Sequence, residues 1–217
     1  MPLLTLPSEQ KDFVEWRRGR RYFAVWAIDF DGPLLSQASA DIRDALDGYW
    51  LPGYVRQPHL TVELCGFPAA SSAQADDYGF AHFAAQRQAL IAAAPVAFDV
   101  EIGAPDSFVS AAYFSVRDLE GGLEKLRHIL AGEVEDAGFV PHVSFALYRS
   151  ALPLPAVVAE LQARNPLAPC RLSVSKVAWM VYEAAVIGGP LFKLGEFDFE
   201  TRRFEVAAGD LFERVFA

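Results

Sequence analysis

The sequence predicts an α+β fold built on an internal duplication, and three observations carry that prediction. Strand-like and helix-like segments follow one another in the order β-α-β-α-β and then β-α-β-α-β-β. The second strand of each unit bears a near-copy of one string, Pro58-His59-Leu60-Thr61-Val62 and Pro141-His142-Val143-Ser144-Phe145. Upstream of each stands a further echo, Tyr22-Phe23-Ala24-Val25 and Tyr113-Phe114-Ser115-Val116. The Tyr-Phe pairs lie 91 residues apart and the Pro-His pairs 83, so 8 residues of difference fall in loops, which tolerate such changes readily. With only two copies, a solenoid or propeller is excluded.

The elements follow from local pattern. Tyr22 to Phe30 is aromatic and β-branched and runs into Asp29-Phe30-Asp31-Gly32-Pro33, so it reads as a buried strand and a turn. From Leu34 to Leu46 the apolar residues Leu35, Ala38, Ile42, Ala45 and Leu46 recur at helical spacing, with Gly48 as a stop. The first motif strand spans about Gln57 to Leu64 and is closed by Gly66-Phe67-Pro68. Asp76 to Ala94 is an alanine-rich helix ended by Pro95, and Phe98 to Ile102 alternates like a half-exposed strand. The second unit opens with a strand from Phe108 to Val116. A helix with the apolar face Leu119, Leu123, Leu126, Ile129 and Leu130 follows. The second motif strand runs from Val140 to Leu147, and Pro153 to Arg164 is a helix that tolerates Pro155 in its first turn. Arg171 to Tyr182 and Leu191 to Phe199 read as a terminal antiparallel pair.

Composition bounds the function. At 217 residues with 53% hydrophobic content and 17 Phe, the chain can bury a real core. No apolar run reaches the roughly 18 to 20 residues of a membrane span, and Met1-Pro2-Leu3-Leu4-Thr5-Leu6-Pro7 lacks a basic leader, so a cytoplasmic protein without a membrane partner is expected. Cys65 and Cys170 have no metal-finger or CxxC spacing and read as core packing. The net charge of −9 opposes binding to duplex DNA and suits a small phosphate ester better. Arg17, Arg18, Arg20 and Arg21 read as a solvated lead-in to the first strand. With neither GxGxxG nor GxxxxGK[ST], no dinucleotide or triphosphate site is supported, and no cofactor is expected.

In a strand, residues at i and i+2 share a face, which sets His59 beside Thr61 and His142 beside Ser144. Two imidazoles titrating near pH 6.5 can serve as base and acid on a phosphodiester, and two hydroxyls can hold the non-bridging oxygens, with no metal required. His82 and His128 lack a hydroxyl neighbour at i+2 and read as surface residues. Alternation also puts Tyr148 on the face of His142 and Ser144 as a candidate nucleobase platform, and Glu63 on the face of His59 and Thr61 at the cleft rim. Arg149 points the other way unless the strand has ended.

The strings His59-Leu60-Thr61-Val62 and His142-Val143-Ser144-Phe145 resemble the two signature tetrapeptides of the 2H phosphoesterase superfamily, which includes 2′-5′ RNA ligase-like proteins and cyclic phosphodiesterases. Their settings, Cys65-Gly66-Phe67 after the first and Gly138-Phe139-Val140-Pro141 before the second, are similar to the family's as well. The resemblance covers roughly residues 20 to 200. It implies a bilobal fold of two antiparallel sheets flanked by helices, with a cleft between the lobes holding both histidines. It also implies metal-free chemistry on a phosphodiester, often a 2′,3′-cyclic one. An arginine commonly follows the second tetrapeptide closely; here Ala146-Leu147 intervene before Tyr148 and Arg149. The expected division is a lead-in over 1–20, a bilobal domain over 21–200 with repeats at about 21–104 and 107–200, and a tail over 201–217.

The leading expectation is thus a monomeric 2H-type phosphoesterase acting on a small nucleotide or RNA end. His59 and His142 are its acid–base pair, in either order, and Thr61 and Ser144 are its phosphate contacts. The same four residues would serve a nucleotide-binding protein without chemistry, or a 2′-5′ RNA ligase working on longer RNA.

Overall fold

The computed structural model describes residues 3–9, 11–30, 32–71, 73–132 and 138–217; Asp31 of the expected turn lies outside them. In chain order the elements are α1 (Lys11–Arg17), β1 (Tyr22–Asp29), α2 (Pro33–Ala45), β2 (His59–Ala69), β3 (Asp77–Gly79), α3 (Phe80–Ala93), β4 (Phe98–Ser107), β5 (Ala111–Asp118), α4 (Gly122–Ala131), β6 (His142–Leu147), α5 (Leu154–Ala163), β7 (Cys170–Val174), β8 (Lys176–Glu183), β9 (Phe192–Asp198), β10 (Arg203–Val206) and α6 (Gly209–Arg214). They form a six-stranded sheet of order β10-β9-β8-β1-β2-β3 and a four-stranded sheet of order β6-β5-β4-β7. All pairings are antiparallel except the short β2–β3 contact. Among the described residues no helix is long and apolar enough to cross a membrane.

The lobes are not contiguous halves of the chain, which corrects the division expected from the repeats. β4, placed in the first repeat, sits inside the second sheet, whereas β8 and β9, placed in the second repeat, join β1. The cause lies in β1, whose residues Phe23 to Ile28 are all buried. A strand apolar on both faces needs a neighbour at each edge, and the second neighbour is β8. The stretch from Arg171 to Tyr182, read as one strand, therefore breaks at Ser175 as the chain crosses from one sheet to the other. Residues 201–217 are no tail either: β10 extends the first sheet, and Leu211, Phe212, Val215 and Phe216 pack on the core beside Trp179.

Gly66 does not end β2. It sits within the strand at φ +118, where a side chain would meet the Asp76 carbonyl at 2.5 Å, and this closeness lets β3 dock. The Tyr-Phe echo also fails to mark equivalent sites. Tyr113 stands opposite Ser144, as Ala27 stands opposite Thr61, so the counterpart of Tyr113 is Ala27 and not Tyr22.

The duplication is present at a finer level than the echo. In β2 the ladder skips Val62, since Thr61 pairs with Ala27 and Glu63 with Trp26; in β6 it skips Phe145, since Ser144 pairs with Tyr113 and Ala146 with Ala112. Each strand thus bulges at the residue just after its motif hydroxyl. A bulged residue loses its ladder partner, and here each orphan carbonyl is met by an arginine from a helix that follows the other sheet's strand. Arg43 of α2 donates to Phe145 O at 2.9 Å and Arg127 of α4 donates to Val62 O at 3.3 Å. The two arginines cross between the lobes and bind β2 to β6.

Charge-assisted hydrogen bonds of this kind are each worth about 1.5–3 kcal/mol. Arg43→Ala is expected to lower stability by that amount in urea unfolding, and a loss below about 0.5 kcal/mol would refute the bracing role.

Candidate active site

The two motifs open alike. Pro58 and Pro141 fix their own φ and hold the preceding residue extended, which turns the carbonyl of that residue back toward the histidine ring. His59 Nδ1 lies 2.8 Å from Gln57 O and His142 Nδ1 lies 2.7 Å from Val140 O. A carbonyl only accepts, so Nδ1 carries the proton in both rings and the neutral form leaves Nε2 bare. The proline carbonyls are pinned alike as well: Phe30 N donates to Pro58 O at 3.2 Å and Val116 N to Pro141 O at 3.1 Å.

The ladder then sets the faces. His59 and Thr61 pair with Asp29 and Ala27, and His142 and Ser144 pair with Ser115 and Tyr113, so all four motif side chains lie on the faces away from the shared core. Leu60, Val62, Val143 and Phe145 face inward and are buried. β2 and β6 pack against each other, which brings the two motif strands together. Among the described residues the hydroxyls of Thr61 and Ser144 have no protein partner, and both are partly exposed.

The histidines differ in surroundings. His59 is 8% exposed and His142 is half-buried. Burial pushes the His59 imidazole down to about 4; the Gln57 carbonyl offsets part of this, while positive charge on Arg56 and on His142 adds to it. His59 is therefore neutral at neutral pH, and the two rings are within electrostatic reach of each other. Beside His142 stand two aromatic rings, Phe108 and Tyr113, stacked at 4.2 Å. Both stand at a steep angle to the imidazole, at 4.9 and 5.5 Å.

Two expectations, for Tyr148 and Glu63, are corrected by the bulges. After Phe145 the alternation shifts by one, so Tyr148 turns into the core: it is fully buried, packs 5.5 Å from Trp50, shares a hydrogen bond with Ser107 Oγ, and has its hydroxyl pushed up to about 12 by burial. It cannot stack on a nucleobase. Arg149 lies past the end of β6 and is exposed. Glu63, opposite Trp26, faces the helix side instead of the cleft; burial raises its carboxyl and the nearby Arg127 opposes that.

Cys65 and Cys170 are free thiols packed against the core, the former with its pKa raised by burial. His82 and His128 are exposed. Arg20 is more than a solvated lead-in, since it pairs with Asp76 and Asp77 at 2.6 and 2.8 Å and lies over the Phe67 ring. Sequence reading missed Arg43, Arg127, Phe108 and Tyr113. For the arginines a signal existed, because they are spaced almost as the histidines are, on corresponding helices. Among the described residues no group of three or more His, Cys, Asp or Glu side chains is arranged to hold a metal ion.

The sequence profile of the 2′-5′ RNA ligase superfamily matches residues 32–185, most of the chain, and the chain belongs to that superfamily. The fold is similar to that of LigT from E. coli in its apo form, with 14% identity over 83% of this chain and 98% of that one and a TM-score of 0.51. TT0787 of Thermus thermophilus aligns at 16% identity over 82% and 97% of the two chains, with a TM-score of 0.49. E. coli LigT complexed with 3′-AMP aligns at 15% identity over 74% and 88%, with a TM-score of 0.44. No curated protein matches the sequence.

The depressed His59 has a stability consequence. The unfolded chain takes up a proton near pH 6.5 and the folded one only near 4, so the unfolded state binds more protons between these values and stability falls as pH falls through that window. The loss reaches about 3 kcal/mol at pH 4. His59→Gln lacks it, so urea unfolding at pH 7 and pH 4 should show the variant gaining about that much on the wild type. Parallel pH profiles would overturn the buried neutral imidazole.

Proposed function

We propose that this member of the 2′-5′ RNA ligase superfamily hydrolyses a phosphodiester, 2′,3′-cyclic or 2′-5′, on a small nucleotide or RNA end, with His59 and His142 as its base and acid. The observation that carries the reading is the matched tautomer: both imidazoles are tied through Nδ1 to the carbonyl two residues back, and each has an unpartnered hydroxyl beside it on the same face of its strand. A phosphoryl group held by Thr61 and Ser144 then meets one nitrogen from each side.

Burial favours one division of the roles in the hydrolytic direction. His59 is kept neutral, so its Nε2 takes the proton of the attacking water as the new P–O bond forms. His142, protonated at Nε2, gives that proton to the departing ribose oxygen as the old P–O bond breaks. The hydroxyls donate to the non-bridging oxygens, whose charge grows in the transition state. With a ribose 5′-hydroxyl in place of water at a 2′,3′-cyclic phosphate, His59 would take the hydroxyl proton and His142 would protonate the departing 3′-oxygen, so ligation to a 2′-5′ linkage uses the same groups in the same roles; the net charge of −9 favours small substrates over long RNA for want of general phosphate attraction.

With 2′,3′-cyclic nucleotides as substrate, His59→Ala and His142→Ala should each lower kcat/KM by at least about 10², and Thr61→Ala or Ser144→Ala by about 10². Unaltered turnover in both histidine variants would refute the assignment.

The pH profile provides a further check. Because the base loses function only as pH falls through about 4, the acidic limb of kcat/KM belongs near pH 4 in the wild type. An acidic limb near the ordinary imidazole value of about 6.5 would mean that His59 is not the base.

A further inference from the structure

We propose that the cavity behind Ser144 is a subsite for a second phosphate, so that the favoured substrate is a nucleotide carrying one phosphate at the two histidines and another beyond Ser144. This rests on the function proposed above and specifies its substrate class.

The cavity has a volume of about 220 Å³ and lies between α2, the 54–58 segment and the open edge of β6. Ser36, Ser39, Arg43, Tyr54, Arg56 and Ser144 line it, and Pro58 leads from it to His59. It adjoins the cleft directly, since Ser144 belongs to both. Roughly seven waters would fill it at about 30 Å³ each, enough room for a phosphate and its immediate attachments.

Its charge is what points to an anion. Arg43 uses Nη1 on Phe145 O, and Arg56 uses Nε on Gly189 O at 3.0 Å with its plane over the Tyr182 ring at 4.2 Å. A guanidinium has five N–H donors, so each keeps four. Among the described residues no Asp or Glu lines the cavity, and neither arginine pairs with a carboxylate. Two uncompensated guanidiniums facing hydroxyls are unusual in a chain of net charge −9, and the planar fork suits phosphate.

A second cavity, lined by Asp29 opposite His59, makes the contrast. It measures about 310 Å³ and is floored by Asp29, Lys176, Lys193 and Glu196. Its lysines are already matched, Lys193 by Asp29 at 2.8 Å and Lys176 by Glu196 at 2.6 Å. It offers no free cation to a phosphate. Arg56, by contrast, is close enough to His59 for its charge to bear on the imidazole, which sets the second phosphate within one nucleotide of the first.

The test compares kcat/KM for adenosine 2′,3′-cyclic phosphate and for the same nucleotide with a 5′-phosphate, in the wild type, Arg56→Gln and Arg56→Lys. Expected is a preference of about tenfold or more for the doubly phosphorylated nucleotide in the wild type, collapsing to about twofold or less in Arg56→Gln and partly restored in Arg56→Lys. Equal rates in the wild type, or a preference that survives Arg56→Gln, would overturn the subsite. Should neither nucleotide be turned over, the proposed function fails on its own. Calorimetric titration with inorganic phosphate then decides the subsite: binding weakened about tenfold by Arg56→Gln upholds it, and binding indifferent to Arg56→Gln overturns it.

Discussion

The carbonyls of Val62 and Phe145 control this molecule. Each belongs to a bulged residue that has lost its place in a β ladder, and each is claimed by an arginine that reaches it from the other lobe's helix. A buried carbonyl without a partner is costly, so neither bulge is stable while the lobes are apart, and the lobes have a specific reason to meet at these two points. What meets there is β2 and β6, each carrying a histidine and a hydroxyl two residues apart. The site is assembled by the same bonds that assemble the fold.

The bulges also decide which side chains the cleft receives. A regular strand would carry the motif face onward to Glu63 and to Tyr148, adding a carboxylate and a phenol beside the two histidines and their hydroxyl neighbours. One skipped residue turns both inward: Glu63 goes to the side of Arg127, and Tyr148 to Trp50 and Ser107. The cleft is left with imidazoles, hydroxyls and, beside His142, the stacked rings of Phe108 and Tyr113. A bulge next to a functional group is a common way to re-aim a strand, and here it acts twice at corresponding positions.

Much of this was legible in the sequence, and the parts that were not share a cause. The helices α2, α4 and α5 and the strands β1, β2, β5 and β6 follow from periodicity and turn residues, and the His-x-[ST] faces follow from alternation, because these depend on neighbours a few residues away. Bulges do not, since the shift at Val62 or Phe145 depends on which strand lies opposite and on an arginine far along the chain. Tyr148 and Glu63 were assigned to the wrong face for that reason alone. The break at Ser175 was hidden likewise: β7 and β8 read as one strand because nothing local says that they join different sheets. The Tyr22-Phe23 echo of Tyr113-Phe114 is a coincidence of composition that register dissolves.

Duplication alone gives two equivalent groups, with nothing in either motif to say which serves as acid and which as base. The backbone keeps its symmetry with care: the same proline, the same carbonyl to Nδ1, the same bulge, the same crossing arginine. Symmetry is broken only by what surrounds each ring. His59 is nearly closed off and sits near the Arg56 guanidinium, both of which oppose a positive charge on it, whereas His142 is half-buried between solvent and two aromatic rings. An imidazole kept neutral by burial and a neighbouring cation is suited to the part of base in an acid–base pair. On the proposed reading, the step from a duplicated fold to a catalyst therefore needed no new residue in either motif, only unequal burial of the same one.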